Sequence, residues 1–170
     1  RNYYLRGLRN STKDIKQTAE LINEFIIKKK YNIILSTGAS SGGFAAILFG
    51  HLLKLSKVIV FNPQTVVSIE KESIVKDFIY TQGISKKLRQ LNLNDSFYHK
   101  CLNLKNFIPF DTKVEIHYSE FSEVDKNHAR YLKHDSCRLI EHETSSHLLA
   151  LELRDSGRLK SLLKESLDKY

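Results

Sequence analysis

The chain has 170 residues, of which 41% are hydrophobic and 27% are charged, a balance typical of one globular domain and unlike that of disordered or membrane-spanning proteins. Its apolar runs are too short to cross a bilayer and its first residues do not resemble a signal peptide, so we expect a cytoplasmic protein with no integral membrane segment. The net charge of +8 comes from lysines scattered over helix faces, a pattern that argues against nucleic-acid binding.

The first predicted elements are an amphipathic helix and a short buried strand. Apolar residues recur at helical spacing from Thr12 to Lys30, with Ser11 or Thr12 available as the N-cap. A compact apolar strand follows from Asn32 to Ser36. The helix is expected to lie with one face on a sheet.

A turn of small residues then joins this strand to an apolar helix from Phe44 to Leu55. Gly38-Ala39-Ser40-Ser41-Gly42 fits the G-x-S-x-G pattern of a nucleophile elbow, in which a strained serine is lifted above the sheet. The neighbours of that serine must be small, and Gly38 and Gly42 meet this demand. Ser40 is thus the predicted nucleophile.

The residue after this serine has a predicted role of its own. The N–H of Ser41, at the start of a helix, is expected to donate to an oxyanion. Two alternatives stay open for the turn. Ser41 could be the nucleophile in a frame shifted by one residue, or the turn could bind phosphate, although no lysine follows the glycines.

The remaining elements alternate between strands and helices. The predicted strands are Lys57 to Phe61, Val114 to Tyr118 and Arg138 to Glu141, and the predicted helices are Asp125 to Lys133, His147 to Arg154 and Arg158 to Leu167. This alternation predicts an α/β fold with a parallel sheet and right-handed crossovers.

One connection is longer than an ordinary crossover. Residues 66–110 include a predicted helix near Ile69 to Tyr80, and the segment is either a cap over a substrate or an irregular excursion. We expect residues 1–170 to form a single domain.

A nucleophilic serine needs a histidine base, and the base needs a carboxylate that fixes its tautomer. His147 is the last histidine and follows the last predicted strand, where hydrolases with a nucleophile elbow place the base. His142 is the competitor but lies closer to the strand. The loop after Val114 to Tyr118 offers three acids. Of Glu120, Glu123 and Asp125 we choose Asp125, which could also be the N-cap of the helix that starts at Lys126.

The other reactive side chains suggest no cofactor. Cys101 and Cys137 are predicted to be free thiols, and His128 is predicted to be a surface or packing residue. The remaining histidines have no metal-ligand spacing: His51, His99, His117 and His134. We expect no metal and no cofactor.

Several segments form a pattern that extends beyond the serine turn. They are the residues from Gly38 to Ala46, Phe49-Gly50, the strand Val58 to Phe61, Asn62-Pro63-Gln64-Thr65, Asp125-Lys126-Asn127-His128-Ala129, and His147 with Leu153, Gly157 and Leu159. Together they resemble a bacterial group of α/β-hydrolase-like proteins that is linked to surface-polysaccharide and glycan gene clusters. The resemblance covers nearly the whole chain. Asn62 departs from it, since the group has a small serine there.

The resemblance implies a three-layer sandwich with a mostly parallel sheet and the triad Ser40, Asp125 and His147. It also implies an esterase or deacylase that acts on an acyl ester, such as one on a sugar. Gln64 and Thr65 lie at the C-terminal end of a predicted strand, where we expect them to line the substrate pocket. An acyltransferase with the same triad, and a non-catalytic module that binds glycan or protein, are the alternatives.

Hydrolases of this fold also have strands before the elbow, and a loop after one of them supplies a second oxyanion N–H. The sequence begins beyond that point. We therefore expect either an N-terminal region outside this sequence or a reduced sheet.

Overall fold

The computed structural model describes residues 5–68, 70–78 and 96–167. Four parallel strands form one sheet, and their order in the sheet is their order in the chain: β1 (Leu35–Ala39), β2 (Lys57–Phe61), β3 (Lys113–Ser119) and β4 (Cys137–His142). The helices of the described residues are α1 (Ile15–Lys29), α2 (Ser41–Leu52), α3 (Lys71–Val75), α4 (Ser96–Cys101), α5 (Glu123–Tyr131), α6 (Leu149–Asp155) and α7 (Arg158–Leu167), with a 3₁₀ turn at Leu104–Phe107. The predicted α/β class with a parallel sheet is confirmed.

Strand β2 shows how the layers are arranged, because successive side chains of a strand point to opposite faces. Val58 and Val60 are buried in a core that includes residues of α1, α2 and α5. Ile59 and Phe61 are buried in a second core with residues of α6 and α7. The sheet is therefore sandwiched between two helical layers, as predicted.

Helix α2, which follows the elbow, is buried along most of its length, because every residue from Gly43 to Gly50 is buried. Gly50 allows it to approach the sheet, since a Cβ atom at this position would lie 2.2 Å from Val58 Cγ2. This close packing holds the end of α2 against the start of β2.

Two predicted boundaries near the N-terminus were wrong. The N-cap of α1 is Asp14, whose side chain accepts a hydrogen bond from Gln17 N, whereas Thr12 Oγ1 lies 2.6 Å from Thr18 Oγ1. The strand predicted at Asn32 to Ser36 is displaced towards the C-terminus and includes Gly38 and Ala39. The apolar pattern missed this because glycine and alanine contribute little hydrophobicity.

Two later helices also begin elsewhere than predicted. The N-cap of α5 is Ser122, not Asp125, which lies inside the first turn. Helix α6 begins at Leu149, so His147 lies in the loop before it. Asp125 is therefore not an N-cap, and His147 is not part of a helix.

The connection at residues 66–110 is described only in part. Helix α3 confirms helical structure within the predicted Ile69 to Tyr80, but residue 69 and residues 79–95 lie outside the described residues. The cap thus stays a prediction. None of the described helices is long and apolar enough to span a bilayer.

Candidate active site

Ser40 lies in the turn between β1 and α2, in a backbone conformation that is unusual for a residue with a side chain. Its φ is 53° and its ψ is −121°. Three backbone hydrogen bonds hold it: its N–H donates to Phe61 O at 3.1 Å, and its carbonyl accepts from Phe44 N at 3.2 Å and Gln64 N at 3.1 Å. Such conformations cost about 1–3 kcal/mol and persist where the surroundings enforce them.

The glycines around Ser40 differ in what they allow. A Cβ atom at Gly38 would lie 2.4 Å from Gly42 O, and one at Gly43 would lie 2.8 Å from Pro63 Cβ. At Gly42 a Cβ atom would meet nothing within 4 Å among the described residues. The steric demand predicted for Gly38 is thus observed, whereas the one predicted for Gly42 falls on Gly43.

The imidazole of His147 lies between Ser40 and Asp125. Its Nε2 is 3.0 Å from Ser40 Oγ, and its Nδ1 is 2.8 Å from Asp125 Oδ1. A carboxylate only accepts hydrogen bonds, so Nδ1 carries the proton and Nε2 presents its lone pair to the Ser40 hydroxyl. The structure therefore brings the three predicted residues into one hydrogen-bonded chain.

The acid and the base differ in exposure. The Asp125 side chain is 3% exposed, whereas the His147 side chain is 50% exposed. Asp125 is the third residue of α5, and its N–H lies 3.4 Å from Ser122 Oγ. The helix thus fixes the acid in the interior, while the base reaches the surface where a substrate can approach.

The three other predicted site residues lie beside this chain. Ser41 is the first residue of α2, so its N–H has no acceptor within the helix. Gln64 is partly buried and its N–H holds the carbonyl of Ser40. The side chain of Thr65 is buried, with Oγ1 2.8 Å from His128 Nδ1. Contact of Gln64 and Thr65 with substrate stays a prediction.

Comparison with solved structures identifies the fold of the chain. The chain is similar to an α/β-hydrolase enzyme from the metagenome of sediments from the lagoon of Mar Chica, Morocco, with a TM-score of 0.52 and 18% identity over 95% of this chain and 75% of the other. The fold is that of the α/β-hydrolases.

Two further solved structures are more distant. A thermophilic esterase from Thermogutta terrifontis has a TM-score of 0.48 and 14% identity, over 91% of this chain and 72% of the other. The Glycosylation Associate Protein complex from Streptococcus agalactiae has a TM-score of 0.45 and 14% identity, over 75% of this chain and 27% of the other. No protein-family model matches the chain, and no curated protein is similar to it in sequence.

Sequence reasoning missed one residue that contacts the loop of His147. Asn62 follows β2, is 1% exposed, and hydrogen bonds through its side chain to Ser119 and to the carbonyls of Ser146 and His147. The sequence did mark this position, because Asn62 departs from the serine of the group that the chain resembles.

A buried polar cluster lies behind Thr65. His128 Nδ1 accepts from Thr65 N at 3.1 Å, so its proton is on Nε2, which lies 3.3 Å from Asp77 Oδ2. Lys71 Nζ lies 2.8 Å from the same oxygen. Lys71, Asp77 and His128 are each 1% exposed. His128 is therefore a packing residue in the interior, one of its two predicted roles, and not a surface residue.

The competing base, His142, has a different partner from His147. It is the last residue of β4, and its Nε2 lies 2.9 Å from His117 Nδ1. Burial and the neighbouring His117 lower the pKa of His142. The other nitrogen of His117 lies 3.0 Å from Glu115 Oε1, so His142 belongs to a network on β3 and β4.

The described residues contain no group of three His, Cys, Asp or Glu side chains that could hold a metal ion. Cys101 and Cys137 are both buried free thiols, as predicted.

Proposed function

We propose that this chain is a serine hydrolase that cleaves an acyl ester through an acyl-enzyme on Ser40. The observation that carries the proposal is the contact of 3.0 Å between Ser40 Oγ and His147 Nε2, made by a serine held at φ 53°. A serine hydroxyl is a weak nucleophile unless a positioned base takes its proton, and this contact supplies that base.

In the first half-reaction, Ser40 Oγ attacks the ester carbonyl while His147 Nε2 takes the hydroxyl proton. Asp125 accepts from Nδ1 and stabilises the imidazolium that forms. Negative charge develops on the carbonyl oxygen near the start of α2, where the Ser41 N–H and the positive end of the helix dipole stabilise it. His147 then protonates the leaving alcohol.

In the second half-reaction, water attacks the acyl carbon while His147 Nε2 takes a proton from it. The bond between the acyl carbon and Ser40 Oγ then breaks, His147 returns the proton to Ser40 Oγ, and the carboxylic acid leaves. A sugar hydroxyl in place of water would give acyl transfer by the same steps. The two outcomes share every residue named here, so they differ only in the acceptor that reaches the acyl-enzyme.

The proposed substrate is an acyl ester on a sugar. The sequence resemblance to proteins of bacterial glycan gene clusters supports the sugar, and the half-exposed imidazole of His147 is accessible to an ester on a large molecule. Gln64, whose backbone holds Ser40, is the residue we propose to contact that substrate, with Thr65 as its buried support on His128.

A fluorophosphonate probe tests the nucleophile and its base directly, with the adduct located by peptide mass. We expect labelling of Ser40 in the wild type and none in Ser40→Ala or His147→Ala. The matched controls are Ser41→Ala and His142→Ala, which remove the neighbouring serine and the competing histidine and should leave Ser40 labelled. The same five proteins are then assayed for release of acetate from p-nitrophenyl acetate and from an acetylated oligosaccharide.

Each contrary result has a definite meaning. An adduct on Ser41 would assign the nucleophile to the shifted frame. A folded wild type that takes up no probe would reject the hydrolase proposal in favour of a non-catalytic binding module.

A further inference from the structure

Asn62 lies where three parts of the site meet: the end of β2, the end of β3 and the loop that carries His147. We infer that Asn62 is a positioning residue, which holds the backbone of this loop so that the imidazole of His147 reaches Ser40. The inference rests on the proposed hydrolase function, and no step of that mechanism uses Asn62 itself.

The hydrogen bonds of Asn62 fix the orientation of its amide. Oδ1 accepts from Ser119 N at 2.9 Å, and Nδ2 donates to Ser119 Oγ at 2.9 Å. The flipped amide would place two donors against each other at Ser119 N. The orientation is therefore determined by a backbone donor and leaves Nδ2 facing the His147 loop.

From this position Nδ2 reaches two successive carbonyls, Ser146 O at 3.1 Å and His147 O at 3.2 Å. Ser119 Oγ adds a second support, since it donates to Ser146 O at 2.7 Å. The side chains that make these part-buried bonds are themselves buried, since Asn62 and Ser119 are 1% and 0% exposed. A half-exposed catalytic imidazole is thus anchored through its backbone to buried side chains.

The backbone of Asn62 explains why asparagine suits this position. Its φ is 42°, in the left-handed region that asparagine tolerates better than most residues, and its N–H donates to His117 O at 2.8 Å. The serine of the group that the chain resembles has a shorter side chain with one donor. Serine at this backbone position would not bridge both loop carbonyls and Ser119 together.

Two substitutions test the inference. Asn62→Asp keeps the shape of the side chain but removes both donors, and Asn62→Ser introduces the residue of the resembling group. The control is Thr112→Val, which removes another buried side-chain hydrogen bond, Thr112 Oγ1 to Leu55 O, at the opposite end of the sheet. For each variant we would measure the melting temperature, the kcat and KM for p-nitrophenyl acetate, and the downfield proton resonance of His147 Nδ1–H.

We expect both Asn62 variants to lose about ten- to a hundredfold in kcat with little change in KM, and to shift the His147 Nδ1–H resonance. Thr112→Val should lower the melting temperature comparably and change neither kcat nor the resonance. Wild-type kcat in a folded Asn62 variant would overturn the inference, as would a kcat loss of the same size in Thr112→Val.

If the wild type proves inactive, the hydrolase proposal fails separately, and the resonance then decides on Asn62 alone. An unchanged resonance in both Asn62 variants overturns the positioning role, and a shift in them but not in Thr112→Val supports it.

Discussion

One carboxylate oxygen of Asp125 lies 2.8 Å from His147 Nδ1, while the other, Oδ2, is buried and has no hydrogen-bond partner among residues 5–68, 70–78 and 96–167. The carboxylate is thus directed at the imidazole by one oxygen, while the other is buried away from bulk solvent. In such surroundings the attraction between a carboxylate and an imidazolium is stronger than in water.

Replacing Asp125 by Asn should reduce kcat for p-nitrophenyl acetate by about 10⁴-fold. The amide can donate to His147 Nδ1, which would leave the proton on Nε2 and remove the base that faces Ser40. The fold should persist, because the side-chain shape is unchanged. Glu123→Gln, an exposed acid on the same helix, is the control and should retain wild-type kcat. An Asp125→Asn protein with kcat within about tenfold of wild type would reject Asp125 as the acid.

Alanine should destabilise the protein at Gly43 but not at Gly42. At Gly43 the new Cβ would lie 2.8 Å from Pro63 Cβ, and we expect a loss of about 1–3 kcal/mol in the free energy of unfolding. At Gly42 it would meet open space in a helix, where alanine is neutral or stabilising by up to about 1 kcal/mol. Urea unfolding of the two variants measures both, and equal losses would contradict the described packing of α2 on Pro63.

Acid should destabilise the protein partly through Glu115. Hydrogen bonding from His117 lowers the pKa of this carboxyl, Lys57 lowers it further, and burial opposes them, with a resulting pKa of about 2. Its stabilising contribution is therefore complete above its ordinary pKa of 4.5 and is lost as the pH falls through about 2.

Glu115→Gln should be less stable than the wild type at pH 7, and the difference should shrink between pH 4.5 and pH 2. Glu143→Gln, at an exposed position, is the control. Urea midpoints measured across this range provide the comparison. A constant difference between Glu115→Gln and the wild type would show that the carboxylate charge does not contribute.

Asp77→Asn should be among the most destabilising conservative substitutions in the described interior. The carboxylate lies 2.8 Å from Lys71 Nζ and 3.3 Å from His128 Nε2, and its loss leaves the buried lysine without that counter-charge. Breaking a buried ion pair costs about 3–5 kcal/mol. In a double-mutant cycle, Lys71→Met should cost less in the Asp77→Asn background than in the wild type. Additive losses would show that the two charges are not coupled.

The candidate site was predictable where its determinants are local in sequence. The small residues around Ser40 define an elbow within five positions, and the order of the strands places the acid and base loops after it. The glycine requirement was less predictable, because Gly43 is constrained by Pro63, which is brought to it only by the packing of α2 on the sheet.

The role of Asn62 could not be read from neighbouring residues. Its partners Ser119, Ser146 and His147 are 57, 84 and 85 positions away in sequence. The N-cap of α1 was misplaced because Asp14 competes with Ser11 and Thr12 for this position. The first strand was misplaced because β1 ends in residues with little hydrophobicity. Local patterns thus specified the type of each element better than its ends.

The strand order of the sheet also sets the order in which reactivity can arise during folding. Ser40 follows β1, Asp125 follows β3 and His147 follows β4, and 107 positions separate the serine from its base. Strands that neighbour each other in the sheet also follow one another in the chain, so β1, β2 and β3 can pair before β4 joins them. Uptake of a phosphonate probe during refolding should therefore report the addition of β4 and the loop that carries His147, whereas a spectroscopic measure of helix content would not.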